Sequence, residues 1–405
     1  TLDRLEYPVS LGHDVFSTGS ISFDSLRELS AVLSKFSAAL LSYNIEKPRV
    51  ISCTALREAR NRALVVDQLK VRNGMDVAVL EDSQEKAYIY QEIIAKLGGG
   101  KPVQPGNTMI GYVGSGSIGV AVYDGEKIVY SQNISMGALK LHDVLRRMRQ
   151  ESEDFHYIIE EYLDTIFNRV AIDRFQIKNL VLTGSQLELV AQLCQAQSPD
   201  GPYEIRTENL TSLYKSIRSA TAESIANRFG ITEERAALLY TSLSIYNGLL
   251  RFCPTADRVV SPPVDISEAI LRYMLTPKAE AALASYLRQS ALACAETTAS
   301  SFSCDLNHSQ RTGEIACKIF DKLKKVHGLD PSKRLLLELA AILHSCGSFV
   351  NVRQHNQCTF DLIKGMDIFG LRQREVLETA FVAGSISDNL SVEENPDFAW
   401  LPMEE

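Results

Sequence analysis

Residues 108–133, TMIGYVGSGSIGVAVYDGEKIVYSQN, constrain the fold more than any other stretch of the chain. An apolar run at 108–113, a Gly/Ser loop at 114–117, an alternating run at 118–123, the Asp124-Gly125 turn and a third run at 127–133 predict a β-hairpin series. What flanks it is different in kind. Upstream, short β-branched runs at Pro48–Ser52 and Met75–Leu80 alternate with helical spacing over Ala55–Leu69 and Ser83–Leu97, an α/β pattern. Downstream come helices near 138–149 and 153–170, a strand at Asn179–Thr183, largely helical sequence from about 207, and one more strand at Asp257–Ser261 before Pro262-Pro263. From about 278 the periodicity is helical almost throughout, clearest in ALASYLRQSALACAE, GEIACKIFDKLKKVHGL and KRLLLELAAILHSCG.

The Gly/Pro-rich stretch GGGKPVQPGN at 98–107 reads as a connection between lobes. The expected organisation is an α/β lobe over 1–103, a second over 104–277, and an all-α domain over 278–405.

Composition narrows the function classes. The 405 residues carry a formal charge of −8, which argues against non-specific binding of duplex nucleic acid, since that needs many Lys and Arg to neutralise phosphates. The eight cysteines form no C-x-x-C pair and read as reduced thiols of a cytoplasmic protein. No apolar run of about 18 residues suggests a membrane span, and the start lacks the pattern of an export leader. The first residue is Thr rather than Met, so a segment upstream of the chain is expected.

Four segments, in this order, resemble the exopolyphosphatase / guanosine pentaphosphate phosphohydrolase (Ppx/GppA) family: CTALREARN (53–61), LEDSQEKAYIY (80–90), GYVGSGSIGVAVYDGEKI with SMGALKLHDVL (111–145), and AAILHSCGSFVN (340–351). The resemblance implies two actin-like ATPase-superfamily (ASKHA, ribonuclease H-like) lobes with a site between them, followed by an HD-like helical domain. It implies cleavage of terminal phosphoanhydrides of polyphosphate or pppGpp, with Mg²⁺ and a Glu that activates water. RLEYPVSLGHDVF (4–16) matches the family's third strand and following loop, which implies that the strand pair carrying the phosphate loop Asp-x-Gly-Ser-Asn-Ser lies upstream.

Carried over residue by residue, the motifs are altered. Arg57 and Asn61 keep the family's Arg and Asn, where a guanidinium at a strand-to-helix turn can fork onto phosphate oxygens. The family's Ser-Gly-x-Glu-Glu-Ala, whose last Glu is taken as the base, appears as Asp82-Ser83-Gln84-Glu85-Lys86-Ala87. A Lys, with an ordinary pKa of about 10.4, is protonated at neutral pH and cannot take a proton from water. Glu85 is one residue away but turned about 100° around the helix. A solvated helix surface carrying both Glu85 and Lys86 is the plainer expectation, with Lys86 contacting a bound anion the sharper one. The family's Asp-x-Gly-Gly-Gly-Ser-x-Glu appears as Tyr112-Val113-Gly114-Ser115-Gly116-Ser117-Ile118-Gly119, so both metal-binding acids are replaced while Gly114, Ser115, Gly116 and Ser117 keep a candidate phosphate cradle. Gly184 and Ser185 are what remains of a third loop, with Ser185 expected to cap a helix from Gln186. In the helical domain His308, His344 and His355 stand near HD positions, but His344 is followed by Ser345 and Cys358 replaces a further His, so they read as structural.

The expectation is therefore a degenerate family member that binds polyphosphate, a guanine nucleotide or a protein partner, with no metal site and no cofactor. The alternative is an active phosphohydrolase that recruits Glu85 and Mg²⁺. A homodimer through the helical third is expected from the apolar density of LLLELAAILHSCGSFV, with neither duplex nucleic acid nor a membrane as partner.

Overall fold

A computed structural model describes residues 3–98, 104–148, 155–196, 201–274, 276–385 and 395–401. The predicted hairpin series forms as three antiparallel strands, β3 (Asn107–Val113), β4 (Ile118–Tyr123) and β5 (Ile128–Ile134). They follow a short parallel pair in the upstream lobe, β1 (Val50–Ser52) and β2 (Val77–Val79). With β6 (Ile177–Gly184), β7 (Tyr203–Arg206) and β8 (Arg258–Ser261) they build a six-stranded sheet in the order β5-β4-β3-β6-β8-β7. β6 runs parallel to β3 and to β8, whereas β7 is antiparallel to β8. Strand β7 carries too short an alternation to be read from sequence.

The period of two explains how this sheet is covered. Met109, Val113, Val120, Val122, Leu180 and Leu182 pack into a core with the helices Phe155–Phe167 and Glu233–Leu249. The intervening Ile110, Ala121 and Val181 face the other way, onto Ala87, Ile89, Tyr90 and Ile93 of the helix Asp82–Gly98. Both faces are buried, so the strands read as continuous apolar runs. The helix Asp82–Gly98, entered directly from β2, thereby lies against the second lobe's sheet and carries its own first turn to the junction of the lobes.

Two expected elements of the upstream lobe differ. The helix predicted over 55–69 is broken into Thr54–Glu58 and Arg62–Asn73, because Ala59 is extended, the Arg60 N–H donates to the Gly19 carbonyl, and the Asn61 side chain bonds the Ile21 backbone in both directions. No strand forms over 4–16: Pro8 offers no ladder donor, Arg4 pairs with Asp265, and Leu11–Thr18 is helical. The expected boundary at residue 103 lies outside the described residues.

The helical domain packs Pro277–Ser301, Leu306–His327, Lys333–Leu343, His355–Lys364 and Gln373–Gly384 around Leu339, Leu343, Phe360, Ile363 and Ala380. Its first helix starts cleanly, with Pro277 in the first turn and Thr276 accepting from the Ala279 N–H. That helix lies along edge strand β5, where Ser290 Oγ accepts from the Ile128 N–H and Cys294 Sγ donates to the Ile128 carbonyl.

Candidate functional site at the lobe junction

Asp82 opens its helix and is the hub of the junction. Arg57, at the end of the short helix after β1, donates through one terminal nitrogen to Glu85 Oε2 at 2.8 Å and the Leu80 carbonyl at 2.9 Å. Its other nitrogen reaches Asp82 Oδ1 at 3.0 Å and Thr54 Oγ1 at 3.1 Å. From the opposite side Lys86 Nζ donates to Asp82 Oδ1 at 3.2 Å and to Ser117 Oγ at 2.7 Å, while the Ser117 hydroxyl donates to Asp82 Oδ1 at 3.0 Å. Lys86 Nζ also stands 5.2 Å from the centroid of the Tyr112 ring. The order Glu85, Arg57, Asp82, Lys86, Ser117 is one continuous network from the first lobe to the second, and its two cations and two carboxylates cancel.

Burial raises the cost of every charge in it. The Lys86 side chain is 1% exposed and the Arg57 side chain 10%. Burial pushes the Asp82 carboxyl up, but Lys86 and Arg57 outweigh this and hold it below the usual carboxylate range. Burial and the Glu85 charge push the Cys53 thiol up to about 11. Glu85 and Lys86 are both buried, so the solvated helix surface does not occur; the first turn is sandwiched between lobes because the next turns pack on the second sheet. Their divergence around the helix does occur, since Glu85 turns to Arg57 and Thr54 and Lys86 to Ser117 and Tyr112.

Gly119 shows how the second lobe accommodates the lysine. A Cβ there would lie 2.4 Å from Tyr90 Oη and 2.9 Å from both Cδ and Cε of Lys86. The space a side chain at 119 would enter is filled by Lys86 and Tyr90. Gly116 is equally constrained, because its Cβ would meet Thr54 Cγ2 at 2.3 Å. The loop 114–117 is closed on itself by the Gly114 N–H donating to the Ser117 carbonyl, and its Gly114 and Ser115 carbonyls receive the N–H groups of Ala138, Leu139 and Lys140. Lys140 in turn pairs with Glu58 of the first lobe at 2.9 Å.

The remaining sequence-derived candidates sit elsewhere. Asn61 serves the Ile21 backbone. Gly184 and Ser185 end β6 against β3: a Cβ on Gly184 would strike the Val113 carbonyl, and the Ser185 N–H donates to that same oxygen at 2.7 Å. Ser185 does not cap the next helix, Leu187–Leu193, whose capping position is Gln186 with φ 59°. Gly184 borders a cleft of about 580 Å³ that also takes in Arg4, Lys96, Arg235, Asp265 and Glu268. His308 and His344 have ring centroids 5.5 Å apart, while the His355 imidazole Nδ1 contacts the Val352 carbonyl. Among the described residues no group of three His, Cys, Asp or Glu side chains converges as a metal site. Sequence reading missed Asp82 as the hub, although its i,i+4 spacing to Lys86 on one helix was the available signal.

A two-lobed α/β core whose lobes meet at a Gly/Ser loop, followed by a helical domain, is the actin-like class of fold. The sequence profile of the Ppx/GppA phosphatase family matches residues 1–263, and that of Ppx/GppA phosphatase domain III matches residues 290–385. The chain belongs to the Ppx/GppA phosphatase family. Among solved structures, the Aquifex aeolicus member of that family is 19% identical with a TM-score of 0.53, over 65% of this chain and 85% of its own. An exopolyphosphatase from Cytophaga hutchinsonii is 18% identical with a TM-score of 0.56, over 66% of this chain and 87% of its own. At these identities the likeness is one of fold. Among the described residues no helix is long and apolar enough to cross a membrane.

Proposed function

We propose that this protein is a non-hydrolytic member of the Ppx/GppA family that binds a polyanion, polyphosphate or a guanine nucleotide, without cleaving it. One observation carries the reading: at the position the family resemblance assigns to the base stands Lys86, buried in the lobe junction with its ammonium shared between Asp82 and Ser117. Around it the donor set does not suit Mg²⁺, which takes carboxylate and water oxygens. Asp82 and Glu85 are committed to Arg57, Tyr112 offers a ring, and Gly119 has no room for a side chain. General-base catalysis contributes roughly 10²- to 10⁴-fold, and the loss of a metal site compounds its absence. Binding needs other groups. Arg4, Lys96 and Arg235 line the cleft beside Gly184, apart from the closed network, and a polyanion there would compete with Asp265 and Glu268, which pair with Arg4 and Lys96. A homodimer through the helical domain accompanies this reading.

The test is phosphate release from polyphosphate and from pppGpp with Mg²⁺, together with calorimetry of both ligands at low salt. No release above background, and binding that weakens as salt is added, are expected. Turnover that survives Lys86→Ala and disappears in Glu85→Gln would show instead an active hydrolase using Glu85. No binding of either ligand would leave a protein partner as the better reading.

A further inference from the structure

Cys304 and Cys346, 42 positions apart in sequence, bring their sulfurs within 3.6 Å of each other in the helical domain. By contrast Cys253 and Cys294 donate to backbone carbonyls. Each member of the pair is held in place by its own turn. The helix Pro277–Ser301 ends at Phe302, and Ser303, at φ 56°, swings the chain back so that the Cys304 N–H donates to the Ala299 carbonyl at 3.0 Å. This return sets Cys304 against the core of the domain. Cys346 opens the short turn Cys346–Phe349 after the helix Lys333–Leu343 and lies in that core. The adjoining Gly347 N–H donates to Thr359 Oγ1 at 3.0 Å, which fixes the turn on the helix His355–Lys364. The contact is about 1.5 Å longer than an S–S bond, a gap within reach of side-chain rotation.

We infer that Cys304 and Cys346 form a reversible thiol–disulfide couple, oxidised by a hydroperoxide, that braces the helical domain. The two sulfurs have different roles. Cys304 is partly exposed and Cys346 fully buried, so the peroxide meets Cys304 first. The Cys304 sulfur, its proton lost to solvent, attacks one peroxide oxygen. The O–O bond breaks, the departing hydroxide takes up a proton as water, and Cys304 is left as a sulfenic acid. The Cys346 sulfur then attacks the Cys304 sulfur. The S–S bond forms as the S–O bond breaks, and the expelled hydroxide leaves with the Cys346 proton as a second water. Two thiols thereby lose two electrons and one peroxide is reduced to two waters. Burial, then the neighbouring Cys304, push the Cys346 thiol up, which keeps it protonated and makes it the second sulfur to react. A dithiol reverses the couple by exchange. The bond ties the turn after Pro277–Ser301 to the turn after Lys333–Leu343.

The test treats the reduced full chain with hydrogen peroxide near equivalence, blocks the remaining thiols with iodoacetamide and maps the peptides by mass. A link joining Cys304 to Cys346 should form, and dithiothreitol should remove it. The melting temperature of the linked protein should rise by about 5 °C or more, because closing a loop of this length constrains the unfolded chain, and should return on reduction. Cys304→Ser should leave Cys346 unoxidised, whereas Cys346→Ala should stop at a Cys304 sulfenic acid that dimedone captures. The link is read in the unsubstituted chain, so the result does not depend on either variant folding. Absence of the link, bonds between other cysteines or between chains in its place, oxidation of Cys346 in Cys304→Ser, or a linked protein with an unchanged melting temperature would each overturn the assignment.

Discussion

Replacing Lys86 separates a buried ion network from an ordinary surface helix. At 3.2 Å from Asp82 Oδ1, the ammonium gains about 5 kcal/mol of gross Coulomb attraction at an effective dielectric of 20. Much of that offsets the desolvation of both ions. Lys86→Met removes the cation but leaves the Asp82 carboxylate with Arg57 and Ser117, each at 3.0 Å, so a loss of only about 1–3 kcal/mol is expected. Lys86→Glu keeps a buried charge and reverses its sign beside Asp82, the case in which an unpaired buried ion costs about 3–5 kcal/mol. The two variants should therefore differ by about 2 kcal/mol at pH 7.5 in urea unfolding followed by far-ultraviolet circular dichroism. The difference should also depend on pH. The introduced carboxyl has its pKa raised in the folded state by burial and by Asp82, so the native state binds the extra proton and the penalty fades as pH falls toward about 4.3. On a solvated helix the two substitutions would unfold within about 0.5 kcal/mol of each other. That result at pH 7.5, or a gap that does not narrow on acidification, would refute the buried network.

Other consequences are equally direct. Gly119→Ala should destabilise by about 1–3 kcal/mol through overpacking against Tyr90 Oη and Lys86, and Tyr90→Phe, by removing that oxygen, should restore part of the loss in a double-mutant cycle. Asp367→Asn should raise the urea midpoint at pH 7: its carboxyl is pushed up in the folded state, so ionising it costs stability as pH rises through the folded value. The gain should vanish below the unfolded value of about 3.9. Ile319→Glu should convert the proposed homodimer to monomer in sedimentation, because Ile315, Ile319, Leu323 and Val326 form an exposed stripe along the helix Leu306–His327; a wild-type monomer across micromolar concentrations would refute that proposal.

The sequence pattern made the strands and the helical domain legible because their apolar spacing is local. Met109 and Ile110, or Val120 and Ala121, alternate faces whatever else the chain does, and the Asp124-Gly125 turn needs no distant partner. Breaks imposed from afar were not legible. Residues 55–69 have helical spacing throughout, and only the approach of Gly19 and Ile21 divides them at Ala59–Asn61. The expected dimer interface meets the same limit. Leu336, Leu339, Ile342 and Leu343, which supply the apolar density behind it, are consumed in their own domain's core, whereas the uncovered apolar surface lies one helix earlier. At the lobe junction the departures from the family pattern at 86, 112 and 119 were visible one by one, but nothing in a string of residues says that they meet.

In three dimensions those positions behave as a set. Lys86 fits because Gly119 leaves its methylenes and Tyr90 Oη the space a side chain would take, and because Tyr112 presents a ring rather than a second carboxylate to its ammonium. Asp82 keeps its charge because Lys86 and Arg57 face it from both sides. Reverting one position therefore meets the other two unchanged. A carboxylate introduced at 86 finds Asp82 and no metal, and any side chain introduced at 119 strikes Tyr90. Single reversions at 86, 112 or 119 should each lower stability without restoring phosphate release, since hydrolysis needs the base and the metal carboxylates together. Any single reversion that produces turnover above the parent protein would show that the junction is not one interlocked unit.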